Sequence, residues 1–153
     1  MLRCIPKNDE NLPTLVDHFG RTITYLRLSV TDRCNFNCFY CRPPGRFETM
    51  HHSDILTYEE MYRLVRIAVG LGIKKLRLTG GEPLVRKGLV EFIPRLAGIP
   101  GLEDISLTTN GARLRENLQR IHDGGIRRLN ISMDTLRRDR FRKITGADRF
   151  DEV

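Results

Sequence analysis

The sequence predicts an α/β fold, a partial (βα) TIM-like barrel of about four βα units that stops before closure. Two observations predict it. Strand-like and helix-like segments alternate along the chain, which is typical of right-handed parallel βαβ units. Each strand is aliphatic on one face and polar on the other. The chain has 153 residues, enough for one hydrophobic core, and we divide it into an irregular segment over residues 1–20 and the barrel part over residues 21–153.

The predicted strands are short segments rich in aliphatic residues. They cover residues 23–30, 73–79, 102–109 and 126–132. Before the first of them, Pro6, Pro13 and Gly20 interrupt the chain, so we predict no regular structure in that segment.

The predicted helices fill the intervals that follow the strands, and cover residues 56–72, 88–100, 112–125 and 135–145. Thr57 and Glu60 have the spacing of a capping box at the start of the first helix. Pro94 is expected to bend or shorten the second helix, and Gly124 with Gly125 ends the third. Helical connections of this length favour a parallel sheet.

The polar face of the strands is partly cationic in this sequence. Side chains alternate between faces along a strand, so Leu26 and Leu28 lie opposite Arg27, and Leu76 and Leu78 lie opposite Arg77. Unpaired cations are costly to bury, so we expect this face to line a cavity that receives an anion. The alternative is a sheet with one solvated face, for which antiparallel strands would be natural.

Three cysteines, Cys34, Cys38 and Cys41, follow the first strand directly. The loops at the carboxyl ends of barrel strands are where barrel enzymes build their active sites. Three thiolates can hold zinc together with a fourth ligand. They can also hold three irons of a 4Fe–4S cluster and leave one iron open. The candidates for a fourth zinc ligand are Cys4, His51 and His52.

The composition narrows the class of protein. No apolar run is long enough to span a membrane, and the N-terminus has no apolar signal segment, so we expect a cytoplasmic protein. In that compartment clustered cysteines more often indicate metal or redox chemistry than disulfides. The net charge of +7 permits nucleic acid, an acidic surface or a polyanionic small molecule as partner, and also a merely solvated basic surface.

The pattern C-x-x-x-C-x-x-C, with Tyr40 before its last cysteine and "TGGEP" after the second strand, resembles the radical S-adenosylmethionine (SAM) superfamily. Within it, the sequence is most similar to the GTP 3′,8-cyclase family of molybdenum cofactor biosynthesis. The segments that carry this resemblance extend from about residue 17 to the end: "DHFGRTITYLRLSVTDRCNFNCFYC", "KKLRLTGGEPLVR", "LTTNG", "RRLNISMDTL" and "RFRKITG".

The resemblance implies a role for each group of residues. The 4Fe–4S cluster would be bound by Cys34, Cys38 and Cys41. SAM would be bound by Tyr40, Gly80, Gly81 and Ser132. GTP would be bound by Arg27, Lys75, Arg77 and Thr108. No catalytic side chain is assigned, because the cluster and SAM carry the chemistry, a lyase-type conversion of GTP to (8S)-3′,8-cyclo-7,8-dihydroguanosine 5′-triphosphate. The implied partners are an electron donor such as flavodoxin or ferredoxin and a second copy in a homodimer, with no membrane or nucleic acid.

The sequence also departs from that family. The family carries a second 4Fe–4S cluster in its C-terminal part, and this chain has no cysteine beyond Cys41. About four βα units do not close the family's barrel and would leave the last strand with an unpaired edge. We therefore expect this chain, as an N-terminal part, to be inactive alone in GTP cyclisation. The alternatives are another radical SAM enzyme, a basic zinc-binding module that contacts nucleic acid, and a non-catalytic fragment.

Overall fold

The computed structural model describes residues 3–6, 13–43, 45 and 48–153. Near the N-terminus, β1 (Arg3–Pro6) and β2 (Pro13–Val16) form an antiparallel pair. The prediction of an irregular segment over residues 1–20 is wrong for these residues. Pro6 and Pro13 face each other at the end of the pair, a position in a strand that tolerates proline. The prolines therefore limit the length of the two strands without preventing them.

The main sheet contains four parallel strands in the order β3-β4-β5-β6. They are β3 (Tyr25–Ser29), β4 (Lys75–Thr79), β5 (Asp104–Thr109) and β6 (Arg128–Ile131). They are followed in turn by the helices α1 (Tyr58–Gly70), α2 (Leu89–Ala97), α3 (Leu114–Asp123) and α4 (Arg138–Thr145). The predicted succession of parallel βα units is confirmed.

The helix signals in the sequence act at the predicted positions. Thr57 Oγ1 accepts a hydrogen bond from the backbone N–H of Glu60 at 3.2 Å, and Glu60 Oε2 accepts one from the N–H of Thr57 at 2.7 Å. This reciprocal pair satisfies two amide groups that the first turn of α1 leaves without partners. Pro94 lies inside α2, and the helix continues beyond it to Ala97.

The hydrophobic core lies between the sheet and the helices. Aliphatic side chains of the strands, such as Leu28, Leu78 and Leu107, are buried against α1, α2 and α3. The helices contribute Met61, Val65, Phe92, Ile93, Leu96 and Ile121. The predicted aliphatic face of the sheet is therefore confirmed.

The opposite face of the sheet carries the polar side chains in register. In the strand register, Arg27 of β3 lies beside Arg77 of β4, and Arg77 lies beside Ser106 of β5. Arg27 is exposed and Arg77 is partly buried. We expected this face to line a cavity, but it is open to solvent at Arg27, because α1, α2 and α3 all pack on the aliphatic face.

No helix among the residues given above is both long and apolar enough to cross a bilayer.

Candidate functional site

The three cysteines lie on one loop, residues 34–41, which we call the cysteine loop. Cys34 and Cys38 are half-buried, Cys41 is exposed, and all three are free thiols. The carbonyl oxygen of Cys38 accepts hydrogen bonds from the backbone N–H groups of Cys41 at 2.9 Å and of Arg42 at 2.8 Å. This turn keeps the second and third cysteines close together.

The thiols of the cysteine loop influence each other electrostatically. Burial raises the pKa of Cys34, the N–H of Phe36 and the charge of Arg42 lower it, and the negative charges of Glu82 and Cys41 raise it. Burial also raises the pKa of Cys38, and the charges of Cys34, Asp134 and Cys41 raise it further. Metal binding must displace the protons of these thiols, and burial makes that harder at Cys34 and Cys38.

A second loop, residues 79–83, follows β4 and lies directly against the start of the cysteine loop. We call it the diglycine loop. The N–H of Gly81 donates to the carbonyl of Thr31 at 2.7 Å, and the N–H of Glu82 donates to the carbonyl of Arg33 at 2.7 Å. A Cβ atom on Gly80 would lie 2.3 Å from the oxygen of Thr31, and one on Gly81 would lie 2.2 Å from the oxygen of Arg33. The two glycines are therefore required for the contact between the loops.

Glu82 joins the diglycine loop to the end of β5. Its side chain is buried, with 1% of the residue exposed. Oε1 accepts hydrogen bonds from the N–H of Leu84 at 3.1 Å and from Thr109 Oγ1 at 2.7 Å, and Oε2 accepts one from the N–H of Asn110 at 2.7 Å. Glu82 is not among the site residues predicted from the sequence. The available signal was a carboxylate in the short loop that follows a buried strand.

Asn110 completes the connection back to the cysteine loop. Its Nδ2 donates to Asn35 Oδ1 at 2.8 Å and lies 3.8 Å from Cys34 Sγ. The ends of β3, β4 and β5 are thus linked by one hydrogen-bond network that includes a cysteine sulfur. Such a network fixes the backbone around the thiols before any ligand arrives.

A cavity of about 350 Å³ lies where the two loops meet. Its size is within the range of small-molecule pockets. It is bordered by a cysteine, both glycines and several polar groups: Ser29, Thr31, Asp32, Cys41, Arg42, Thr79, Gly80 and Gly81. The structure therefore brings together Cys41, Gly80 and Gly81, which the resemblance assigns to the cluster and to SAM.

The other two residues assigned to SAM, Tyr40 and Ser132, do not line this cavity. Tyr40 is exposed, and its hydroxyl donates to Asp134 Oδ2 at 2.8 Å, a hydrogen bond that raises the pKa of Tyr40. Ser132 is also exposed, and its N–H donates to the carbonyl of Thr109 at 2.8 Å. Both residues remain predictions for SAM binding.

The four residues assigned to GTP lie on the open polar face of the sheet. Lys75 and Arg27 are exposed, while Arg77 and Thr108 are partly buried. The guanidinium carbon of Arg77 is 5.6 Å from the ring centroid of Tyr25, and its Nε is buried with no hydrogen-bond partner in the part of the chain described. A buried donor without a partner is costly, and an anion on this face would satisfy it.

The donor set fits an iron–sulfur cluster. In a 4Fe–4S cluster each thiolate binds a different iron, so its ligands do not converge on one atom as the ligands of a single ion do. Among the side chains that the structure describes, no three from His, Cys, Asp and Glu converge on a single metal ion. Two of the candidates for a fourth zinc ligand can be followed up. His51 has its Nδ1 2.8 Å from Ser53 Oγ, and the side chain of Cys4 lies outside the described residues.

Comparison with known proteins gives consistent matches. A sequence profile of the radical SAM superfamily matches residues 28–153. The GTP 3′,8-cyclase of Geobacter sulfurreducens is 56% identical over 139 residues, which are 91% of this chain and 43% of that protein. The GTP 3′,8-cyclase of Heliobacterium modesticaldum is 48% identical over 139 residues, which are 91% of this chain and 42% of that protein. The chain spans less than half the length of these relatives.

Solved structures show the same fold. The crystal structure of Streptococcus suis SuiB bound to S-adenosylmethionine has a TM-score of 0.67 at 17% sequence identity, covering 84% of this chain and 29% of that one. BtrN in complex with AdoMet and 2-DOIA has a TM-score of 0.58 at 22% identity, covering 87% of this chain and 56% of that one. The predicted partial (βα) TIM-like core agrees with these matches.

Substitution of Gly81 by alanine tests the contact between the two loops. The added Cβ would lie 2.2 Å from a backbone oxygen, so the loops must separate, and we expect Gly81→Ala to lower the free energy of unfolding by about 1–3 kcal/mol. Gly70→Ala is the control, because nothing lies within 4 Å of its Cβ position at the end of α1. Urea unfolding of both variants measures the difference, and equal stabilities would contradict the required approach.

Substitution of Glu82 by glutamine tests the buried carboxylate. The side-chain NH2 of glutamine would face a group that now donates a hydrogen bond to a carboxylate oxygen. Glu82→Gln is therefore expected to lower the free energy of unfolding by about 1–3 kcal/mol. The exposed Glu116, which pairs with Arg113 at 3.0 Å, is the control, and Glu116→Gln should change it by less than about 0.5 kcal/mol. Urea unfolding of the metal-free chain makes the measurement; a wild-type value for Glu82→Gln would mean that the network contributes nothing.

Proposed function

The chain belongs to the radical SAM superfamily, and we propose that it supplies the cluster-binding and SAM-binding part of a GTP 3′,8-cyclase. The observation that carries the proposal is the combination of three thiols on one loop, of which Cys41 borders a cavity, with adjacent arginines on the polar face of the same sheet. The high identity to GTP 3′,8-cyclases over nearly the whole chain supports this choice over other radical SAM activities.

The cysteine loop is the proposed site of the 4Fe–4S cluster. Cys34, Cys38 and Cys41 would hold three irons of the cluster, which would leave one iron without a cysteine, and Cys41 borders the cavity. When both are bound, the cluster and SAM supply the radical chemistry. The protein's part is to position them: the backbone of Gly80 and Gly81 borders the cavity, and the hydrogen bonds of Glu82 hold that backbone in place.

The polar face of the sheet is the proposed site of GTP. Arg27 and Arg77 lie side by side in β3 and β4, and the Nε of Arg77, which has no hydrogen-bond partner among the described residues, is a donor that a phosphate oxygen would satisfy. Lys75 and Thr108 lie on the same face and extend this polar surface. Here the substrate would lie on the same face of the sheet as Ser29 and Thr79, which end β3 and β4 and border the cavity proposed for SAM. The proposed product is (8S)-3′,8-cyclo-7,8-dihydroguanosine 5′-triphosphate, formed in molybdenum cofactor biosynthesis.

The proposed reaction also requires an electron donor, a compartment and an assembly. A 4Fe–4S cluster needs an electron donor, for which a flavodoxin or a ferredoxin is suited, and we place the protein in the cytoplasm, where such donors act. A homodimer is the proposed assembly, and the second cluster expected from the resemblance is not encoded by the cysteines of this chain.

Anaerobic reconstitution with iron and sulfide tests the cluster. The wild-type chain should become brown and hold about four irons per chain, and the single variants Cys34→Ser, Cys38→Ser and Cys41→Ser should lose most of them. Cys4→Ser is the control and should retain the iron, because Cys4 is not a proposed cluster ligand. A colourless chain that retains zinc, and loses it in Cys4→Ser, would favour a zinc-binding module.

Binding of GTP tests the polar face. Arg77→Met removes the charge and the buried donor while keeping a long side chain, so GTP should bind roughly tenfold or more weakly. Arg66→Met is the control, because Arg66 is an exposed arginine on α1. Isothermal titration calorimetry of the reconstituted chain measures both variants. Equal affinity of the two variants for GTP would argue against the assignment of Arg77.

A further inference from the structure

We infer that Phe141 in α4 is a positioning residue for the iron–sulfur ligands, acting through Phe36 and the backbone of the cysteine loop. The inference rests on the proposed cluster at the three cysteines. It adds a role for α4, which carries none of the proposed ligands. The contacts that carry it are aromatic packing, hydrogen bonds at the end of a helix, and an N–H group directed at a sulfur atom.

Phe36 is the buried residue of the cysteine loop, with 5% of its surface exposed. Its ring meets that of Phe141 edge to face, with 5.5 Å between the ring centroids and 88° between the ring planes. Phe141 is 2% exposed and contacts Phe150 in the same way, at 5.6 Å and 79°. The three rings form a continuous row beneath the loop.

The C-terminal end of α4 holds the backbone of the same loop. The N–H of Asn37 donates to the carbonyl of Thr145 at 2.8 Å, and the N–H of Phe39 donates to the carbonyl of Ile144 at 3.1 Å. The last carbonyls of a helix have no partners within the helix, so these bonds use acceptors that α4 leaves free. The residues on either side of Cys38 are therefore held to α4 by one hydrogen bond each, in addition to the ring contact of Phe36.

Phe36 also contacts a proposed cluster ligand through its backbone. The N–H of Phe36 donates to Cys34 Sγ at 3.4 Å. The direction of this N–H follows from the position of the Phe36 residue, which the Phe141 ring helps to fix. Hydrogen bonds to cysteine sulfur stabilise the thiolate and set the reduction potential of an iron–sulfur cluster. Phe141 thus acts on Cys34 through Phe36.

The aromatic row is separate from the main hydrophobic core. The core cluster of buried side chains between the sheet and the helices contains neither Phe36 nor Phe141. Phe92 in α2 offers a matched comparison, because it is also 2% exposed, also contacts another ring, that of Tyr58 at 4.5 Å, and belongs to the core cluster. A purely structural role would make the two phenylalanines equivalent in their effect on the cysteine loop.

The test compares Phe141→Leu with Phe92→Leu in the chain. Amide hydrogen exchange of the metal-free protein is measured at Asn37 and Phe39, with core amides of β4 and β5 as the internal reference. In Phe141→Leu the two loop amides should exchange roughly tenfold faster than in wild type, relative to the core amides. In Phe92→Leu the ratio of loop to core exchange should stay at or below the wild-type ratio.

After anaerobic reconstitution, Phe141→Leu should hold less iron than Phe92→Leu, and the cluster that remains should have a more negative reduction potential. Phe36→Leu keeps α4 intact and should reproduce these effects if Phe141→Leu does not fold. Equal loop-to-core exchange ratios in the variants at positions 141 and 92 would overturn the inference. A wild-type chain that takes up no iron would overturn the proposed cluster instead, while the exchange measurement still decides whether Phe141 holds the loop.

Discussion

The site depends on one buried carboxylate. The carboxylate of Glu82 accepts hydrogen bonds from the N–H of Leu84 and from the end of β5. The N–H groups of Gly81 and Glu82 donate to carbonyls in the segment just before the cysteine loop. Three strand ends that are distant in sequence are thereby held at one place. A buried carboxylate is tolerated only because its oxygens are occupied by donors, so the loops and the carboxylate stabilise each other. The cysteine loop and the cavity lie next to this hydrogen-bond network.

The two faces of the sheet have different roles because side chains alternate between faces along a strand. One set of alternating side chains makes the core, and the other is left for ligands. In this chain the second set contains Arg27 and Arg77 next to each other in the register of β3 and β4. Two like charges at adjacent positions favour an anion between them, and a triphosphate has the charge that such a pair would bind. In the proposed function the same sheet would therefore serve a cofactor at its carboxyl edge and an anion on its polar face.

The fold and the placing of three cysteines on one loop after the first strand were predictable from the sequence, because both depend on local patterns; the role of these cysteines as cluster ligands stays a prediction. The alternation around Leu76 and Leu78 predicted the buried face, and the capping box at Thr57 predicted the start of α1. Other features depend on contacts between distant residues. The bond from Thr109 to Glu82 and the contact of Phe36 with Phe141 join segments that no periodicity connects. The β1–β2 pair is not predictable from the local pattern, because prolines usually interrupt strands, and only the pairing shows that Pro6 and Pro13 lie at its end.

The proposed function requires that a cluster held by the cysteine loop and SAM in the cavity beside Cys41 lie in direct contact. Electron–nuclear double resonance of the reduced, reconstituted chain tests this, with SAM labelled at its amino nitrogen and carboxylate oxygens. We expect hyperfine coupling of both labels to the cluster, and loss of that coupling when the diglycine loop is displaced. A cluster whose spectrum is unchanged by SAM, with no coupling to either label, would contradict it.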